Sequence, residues 1–422
     1  MTFRFVHAAD LHLDTPFEGI GKLSPDIQRA LQDASLDAFD NLINLCISER
    51  VAFLLLAGDI YDGADRGVRA QLQFSRGLQR LADLGIKTFI IHGNHDPLDG
   101  WSAVRKWPEG VTIFDSRTVG SVSVEVDGRS IATIHGISYP TRMVTDNLAL
   151  QYQRGSTSSG VQIGLLHCTV GSSTDHASYS PCTLNDLLDR GMDYWALGHI
   201  HKRQILHTGN PWVVYPGNLQ GRSPKPSERD AKGAYLVEVD GQNTISTPRF
   251  VPLDVIRFLS IETEISEIAD MPQLQRTLSD EADRLRSEHE NRSLLLRGRL
   301  SGRGTLYSDL GHRDGLESLL RDLREEGKHS VPFLYWSSLS NETRPGIDRA
   351  SILSGQRFSS EMLKFIDQVP EDADVRKRLE NCFDIPRFVK TNKFGVELSG
   401  IDQLMAEAED LALDLLESGE QQ

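Results

Sequence analysis

Phe3-Arg4-Phe5-Val6-His7-Ala8-Ala9-Asp10-Leu11-His12 is a short apolar run that ends in a carboxylate and an imidazole two residues apart. Aromatic and β-branched residues suit a pleated, buried chain, so Phe3–Ala8 reads as a strand. Four more stretches repeat the pattern. Residues 52–57 lead to Gly58-Asp59, and residues 87–92 lead to Gly93-Asn94-His95-Asp96. Residues 162–168 contain His167, and residues 194–197 lead to Gly198-His199-Ile200-His201. Successive strand side chains alternate between faces, so Asp10 and His12 are expected to project together, and His199 and His201 likewise. In parallel α/β sheets, ligands gather beyond the carboxyl ends of strands. A glycine ahead of a ligand suits a sharp turn close to a metal.

Outward from this first strand, Ser24 reads as an N-cap and Pro25 as the first residue of a helix. Its apolar face carries Ile27, Leu31, Ala34, Ala38, Leu42 and Leu45. A second helix, marked by Leu72, Leu78, Leu81 and Ala82, falls between the second and third strands. This β-α-β-α-β opening predicts an α/β fold with a mostly parallel sheet and helices packed on it. Further strands are expected at 111–114, 121–126, 131–137, 213–215 and 234–239, a number that two stacked sheets accommodate. Gly155 to Gly160 reads as a flexible loop.

A new β-α-β-α-β unit begins near residue 254. Leu259, Ile261, Thr263 and Ile265 alternate with polar residues, as in a half-buried strand. Helices with Leu274, Leu278, Ala282 and Leu285, and with Leu316, Leu319, Leu320 and Leu323, flank a strand through Leu294, Leu296 and Leu300. A third strand covers 331–336. Beyond Pro345 the chain reads as helical, and Ile401, Leu404, Met405, Ala408, Leu411, Ala412 and Leu415 line one face of a last helix. The expected domains are residues 1–253, 254–345 and 346–422.

At 39% hydrophobic and 25% charged residues over 422, the composition is that of a soluble globular protein. No apolar run approaches the ~18 residues that span a bilayer, and the first residues read as a strand rather than a secretory signal. Cys46, Cys168, Cys182 and Cys382 are scattered without a CxxC, which argues against a disulfide framework or zinc ribbon and fits a reducing cytoplasm. Cys168 reads as a small core residue. The net charge of −15 is concentrated late in the chain: residues 1–253 carry 23 Lys/Arg against 27 Asp/Glu, and the remainder 22 against 33. The acidity therefore does not exclude DNA at the N-terminal part, and it gives no support for it.

Each ligand motif alone is a common turn or a core histidine. Their order, each at the end of a strand, makes the joint reading a metal centre. Carboxylate, amide oxygen and imidazole without thiolate suit Mn2+, Fe2+ or Zn2+. One carboxylate can bridge two such ions ~3.5–4 Å apart, and a pair activates water and offsets charge during in-line displacement at phosphorus. His95 stands beside Asn94 but is not needed for coordination, so it is free to protonate the leaving oxygen, with Asp96 to orient it. His7, His92 and His135 read as core histidines.

The series Asp10-x-His12, Gly58-Asp59, Gly93-Asn94-His95-Asp96, His167 and Gly198-His199-x-His201 resembles the signature of the calcineurin-like metallophosphoesterases. Residues 7–13, 55–62 and 193–201 resemble the SbcD branch of DNA-repair nucleases, and Tyr215-Pro216-Gly217-Asn218-Leu219-Gln220-Gly221-Arg222 is similar to its YhaO-type members. The resemblance covers about residues 1–250. It implies a four-layer α/β/β/α sandwich followed by a small α/β capping domain and C-terminal helices. It implies one ion held by Asp10, His12, Asp59 and His201, and another held by Asp59, Asn94, His167 and His199. His95 would be the proton donor. Asn218 and Arg222 are expected to meet substrate, and Arg222, Lys225, Arg229 and Lys232 to form a loop against the phosphate backbone.

The implied activity is that of a DNA exonuclease, with single-strand endonuclease activity as a further expectation and two divalent ions, Mn2+ foremost. The implied partners are DNA, an SbcC-like ATPase on the C-terminal helices and a second copy of the chain. Two other readings stay open. The same centre would serve a phosphodiesterase or phosphatase for small nucleotides. A scaffold subunit for the ATPase would be marked by lost ligands, and none is lost.

Overall fold

The computed structural model describes residues 1–368 except 16, 18–24, 64–66, 101–102, 156–159, 172–178, 290–291, 328–330 and 347–348, together with residues 408–416 except 410 and 414. Ser24, most of the loop after Gly155 and most of the last predicted helix lie outside the described residues. The chain divides into two compact units: Met1–Ser260 with Ala282–Arg297 and Arg324–Ser337, and Ile261–Glu281 with Gly298–Leu323 and Ser338–Gln422.

The first unit contains two six-stranded sheets. One holds β1 (Phe3–Ala8), β2 (Phe53–Ala57), β3 (Lys87–Ile91) and β4 (Val111–Ile113) in parallel. The other begins with β5 (Gly120–Val126), antiparallel to β6 (Arg129–Gly136), and continues in parallel through β7 (Val161–His167), β8 (Tyr194–Gly198) and, past β9 (Gln204–His207) in sequence, β10 (Trp212–Tyr215). β9 closes this sheet antiparallel to β10. The chain then returns to the first sheet, where β11 (Gly233–Val239) runs antiparallel to β1 and β12 (Arg249–Pro252) antiparallel to β11.

Strand alternation sorts the apolar side chains into layers. Val6, Ala8, Leu54, Leu56 and Ile90 face outward onto Leu42, Ile43, Phe74 and Leu78 of helices α1 (Pro25–Ser48) and α2 (Val68–Ala82). Phe5, Phe53, Leu55 and Phe89 face inward onto Ile134, Ile163, Leu165, Tyr194 and Val214 of the second sheet. The far face of that sheet, with Leu166, Trp195 and Val213, is covered by Leu148, Tyr152 and Leu187, the last from the five-residue helix α3 (Leu184–Leu188). The result is the expected α/β/β/α order with a thin fourth layer. Pro25 opens α1 as predicted. β9 and β12 were not expected from the sequence.

The remaining strands and helices are β13 (Ile256–Glu264), α4 (Met271–Glu288), β14 (Ser293–Ser301), β15 (Arg303–Gly304), α5 (Tyr307–Gly311), α6 (Arg313–Gly327), β16 (Leu334–Asn341), β17 (Arg344–Pro345), α7 (Arg349–Ser354) and α8 (Phe358–Gln368). The strands β13, β14 and β16 form a three-stranded sheet in that order, and β15 pairs with β17. The alternation read around Leu259 to Ile265 and the apolar face of α4 are both present, with Ile261, Leu274, Leu278 and Ala282 buried.

The three histidines read as core residues are buried and satisfied. His7 accepts from the Tyr194 hydroxyl through Nδ1 and donates through Nε2 to the Leu197 carbonyl, both at 3.1 Å, which bridges the two sheets. His135 lies between Ser121 and Gln162, and His92 meets Asp96. Cys168 is buried, as expected.

Candidate metal centre

The ligand residues follow the carboxyl ends of β1, β2, β3 and β8 or close β7, so both sheets contribute to one place. Strand alternation is not what aims them, which corrects the simple reading of the i, i+2 spacing. Asp10, His12, Asp59 and His199 all have left-handed backbones, with φ of 51°, 43°, 51° and 101°. Non-glycine residues adopt that region at a cost of order 1 kcal/mol or more and cluster at functional sites. The turns are held by backbone bonds from Asp10 to Gly58 (3.1 Å) and from His12 to Asp59 (3.0 Å), which lock the first two ligand loops together.

Two clusters result. Asp10, His12 and His201 bring ligand atoms within 4.8 Å of one another, and so do Asp59, His167 and His199. His199 and His201 therefore part company, one in each cluster. Asn94 joins the second cluster, its Oδ1 lying 3.0 Å from His167 Nε2. Asp59 Oδ2 stands 3.4 Å from His167 Nε2 and 4.0 Å from His12 Nε2, between the two clusters. That is the position of a bridging carboxylate.

The site fits a pair of cations. His167 Nδ1 donates to the Ala57 carbonyl at 2.8 Å, so its Nε2 carries the lone pair. His201 Nδ1 meets Glu228 at 2.5 Å, which leaves Nε2 as the acceptor there too, 3.1 Å from His12 Nε2. His12 Nδ1 is buried without a hydrogen-bond partner. Nitrogens facing one another in this way need a cation or a proton between them. Space is kept for the cluster by glycine: a Cβ on Gly93 would stand 2.7 Å from His167 Nε2 and closer still to Asp59 Oδ1. Gly58 has φ +90°, and a Cβ there would strike the His167 ring.

Charge in the cluster is correspondingly displaced. Burial pushes the Asp10 carboxyl up to about 6 against the pull of His167 and His201. Burial also opposes ionisation of Asp59, but His167 and His12 overcome it and hold that carboxyl well below its usual range. His167, lowered by burial but raised more by Asp59, rises to about 9. Protons thus stand where cations would, and metal uptake would release them.

His95 is not in either ligand cluster. Its amide donates to Asp59 Oδ1 at 2.9 Å, and its Nδ1 lies 2.5 Å from Asp62 Oδ1. Burial lowers its pKa, but the hydrogen bond to Asp62 and the charges of Asp59 and Asp62 raise it overall. The carboxylate at its ring is thus Asp62, which corrects the expectation that Asp96 orients it. Asp96 is buried and accepts from the Ile60 and Gly93 amides at 3.0 and 2.9 Å, so it braces the loop. Asp62 is in turn held by Arg222 Nη1 at 2.9 Å. His12, Asp62 and His95 also form a third carboxylate–imidazole cluster, but the adjacent guanidinium opposes a cation there.

Asn218 is fully buried, and its amide donates to Glu228 Oε2 at 2.7 Å and to the Gln220 carbonyl at 2.8 Å. It builds the site from behind, which corrects the expectation that it meets substrate. Of the basic loop, Lys232 is buried and donates to the carbonyls of His201 (2.9 Å) and Ser227, so it is not a surface contact. Arg229 is half-buried and donates to Pro224 at 2.8 Å, and Lys225 is exposed. Two residues that sequence reasoning missed are Asp62 and Glu228. Asp62 follows Asp59 by three positions in the same turn, a weak signal. Glu228 has no local signal, since its partner His201 is 27 residues away.

Two carboxylate–imidazole clusters with Asp59 standing between them match a known family. The profile of the family described as calcineurin-like phosphoesterase matches residues 3–203. The chain belongs to the calcineurin-like metallophosphoesterases. It is 36% identical over 377 residues to the uncharacterized metallophosphoesterase YhaO of Bacillus subtilis, covering 89% of this chain and 90% of that protein. The profile described as the middle domain of metallophosphoesterase YhaO matches residues 258–344. The DNA double-strand break repair protein Mre11 of Sulfurisphaera tokodaii is 26% identical over 60% of this chain and 63% of its own length. The SbcD component of the nuclease SbcCD of Bacillus subtilis is 22% identical over 51% of this chain and 61% of its own length. The chain thus spans less than two thirds of either of these last two proteins. No described helix is long and apolar enough to cross a membrane.

Proposed function

We propose that this metallophosphoesterase hydrolyses phosphodiester bonds in DNA as an exonuclease, with single-strand endonuclease activity beside it. The observation that carries diester hydrolysis is the placement of His95, bonded to bridging Asp59 through its backbone but held at its ring by Asp62. Asp10, His12, Asp59 and His201 would hold one ion, and Asp59, Asn94, His167 and His199 the other. Two divalent ions, which we take to be Mn2+, supply Lewis-acid charge and an activated water when bound. Asp62 holds His95 Nδ1, so the proton to be delivered sits on Nε2, and His95 passes it to the leaving oxygen. Asp96 keeps the loop that carries Asn94 and His95 in register.

The step to DNA is supported by the relatives named for break repair and nuclease activity and by the additional region after residue 253. In this reading residues 254–345 form a capping domain. Residues 346–422, mostly outside the described residues, receive an SbcC-like ATPase, and the protein works as a cytoplasmic homodimer. Lys225 and Arg222 border the substrate path. The test is Mn2+-dependent digestion of end-labelled duplex and single-stranded DNA beside bis(p-nitrophenyl) phosphate and cyclic nucleotides. Release of labelled nucleotides from DNA is expected. Hydrolysis of the small esters with DNA left intact would replace this reading by the small-nucleotide one.

A further inference from the structure

The two ligand clusters differ in what stands behind one histidine of each, His167 and His201. In the Asp59–His167–His199 cluster, His167 Nδ1 donates to a neutral backbone carbonyl, that of Ala57. In the Asp10–His12–His201 cluster, His201 Nδ1 meets a carboxylate, Glu228 Oε1, at 2.5 Å. Glu228 is buried, and its second oxygen accepts from Asn218 Nδ2 at 2.7 Å and from the Arg222 amide at 3.0 Å. Donors therefore converge on both oxygens, an arrangement that a carboxylate satisfies and a glutamine, with one oxygen, does not. Lys232 fastens the turn at Ser227 to the carbonyl of His201, so the glutamate and its histidine are anchored as one piece.

We propose that Glu228 is a positioning residue that makes the two metal positions unequal, strengthening the one formed by Asp10, His12 and His201. A carboxylate behind a ligating imidazole fixes its tautomer and raises its basicity more than a carbonyl does, and loss of such a partner costs roughly 10- to 100-fold in affinity. The same glutamate accepts from the amide of Arg222, whose guanidinium holds Asp62 at 2.9 Å, and Asp62 holds His95. Occupation of the first position is thereby tied to the setting of the proton donor. The proposal rests on the two-metal reading of the centre.

The test is calorimetric titration of metal-free full-length protein with MnCl2, with Mn2+ electron paramagnetic resonance to count bound ions. In Glu228→Gln, one dissociation constant should rise roughly 10- to 100-fold while the other stays within about threefold. At one equivalent of Mn2+ the variant should give a mononuclear signal. Glu228→Asp keeps the charge and loses reach, so it should weaken the same position by less. If both variants bind both ions as the parent does, or weaken both positions equally, the proposal falls. Should the parent bind fewer than two Mn2+, the two-metal reading fails instead.

Discussion

Asp62→Asn isolates the proton donor from the metal centre. Asp62 Oδ1 lies 2.5 Å from His95 Nδ1, and its other oxygen is held by Arg222 at 2.9 Å. Asparagine preserves size but removes the charge that favours the imidazolium, and its amide can donate to Nδ1, leaving a neutral ring whose Nε2 proton is far less acidic. A hydrogen bond to a charged group is worth about 1.5–3 kcal/mol. Lost only where the leaving oxygen takes its proton, that is a roughly 10- to 150-fold fall in kcat. The assay compares two diesters, one leaving as an alkoxide, which needs the proton, and one as p-nitrophenolate, which does not. The variant should lose the first reaction and largely keep the second, with metal content unchanged and the alkaline limb of the pH–rate profile, where the acid loses its proton, moved to lower pH. An equal loss on both substrates, or no loss on either, would refute the assignment of His95 as acid and Asp62 as its support.

Gly93→Ala should empty the centre, because its Cβ would meet His167 Nε2 at 2.7 Å with Asp59 closer still; metal analysis should find fewer than two ions on a chain that still folds. His95→Asn should bind both ions yet cleave alkoxide-leaving diesters roughly 100- to 10,000-fold more slowly, and loss of metal would make His95 a ligand instead. Burial lowers His7 from 6.5 to about 3, so between those pH values the unfolded chain binds a proton that the folded one does not. Wild-type stability should therefore fall as pH drops through that window, by up to about 1.4 kcal/mol per unit from this residue, and His7→Gln should flatten the profile in denaturant titrations.

The sequence exposed what was built from runs of one kind of residue. Strands β1, β2, β3, β7 and β8 are buried apart from Arg4 and Lys87 and read as mostly apolar blocks, so they were placed within a residue or two. Strands β9 and β12 are half-exposed edges of mixed composition, the second ending in Pro252, and carry no such signal. The ligands were visible because each follows or ends one of those blocks. The partners behind them were not. Glu228 looks like one more charge in a polar loop until the fold brings it to His201, and Asn218 and Arg222 read as substrate contacts because nothing local announces that Glu228 and Asp62 will claim them. The exchange of Asp96 for Asp62 at His95 has the same cause: adjacency in sequence suggested a pair that the turn geometry assigns to His92 and backbone amides.

The left-handed backbone at Asp10, His12, Asp59 and His199 also bears on how such a protein ages in evolution. Glycine occupies that region without penalty, so drift from ligand to glycine at any of these four positions would relax the chain by on the order of 1 kcal/mol while removing a ligand. Selection for folding alone therefore pushes against the chemistry at these positions. A duplicated copy released from its catalytic duty would decay first at the centre and keep its sandwich longest.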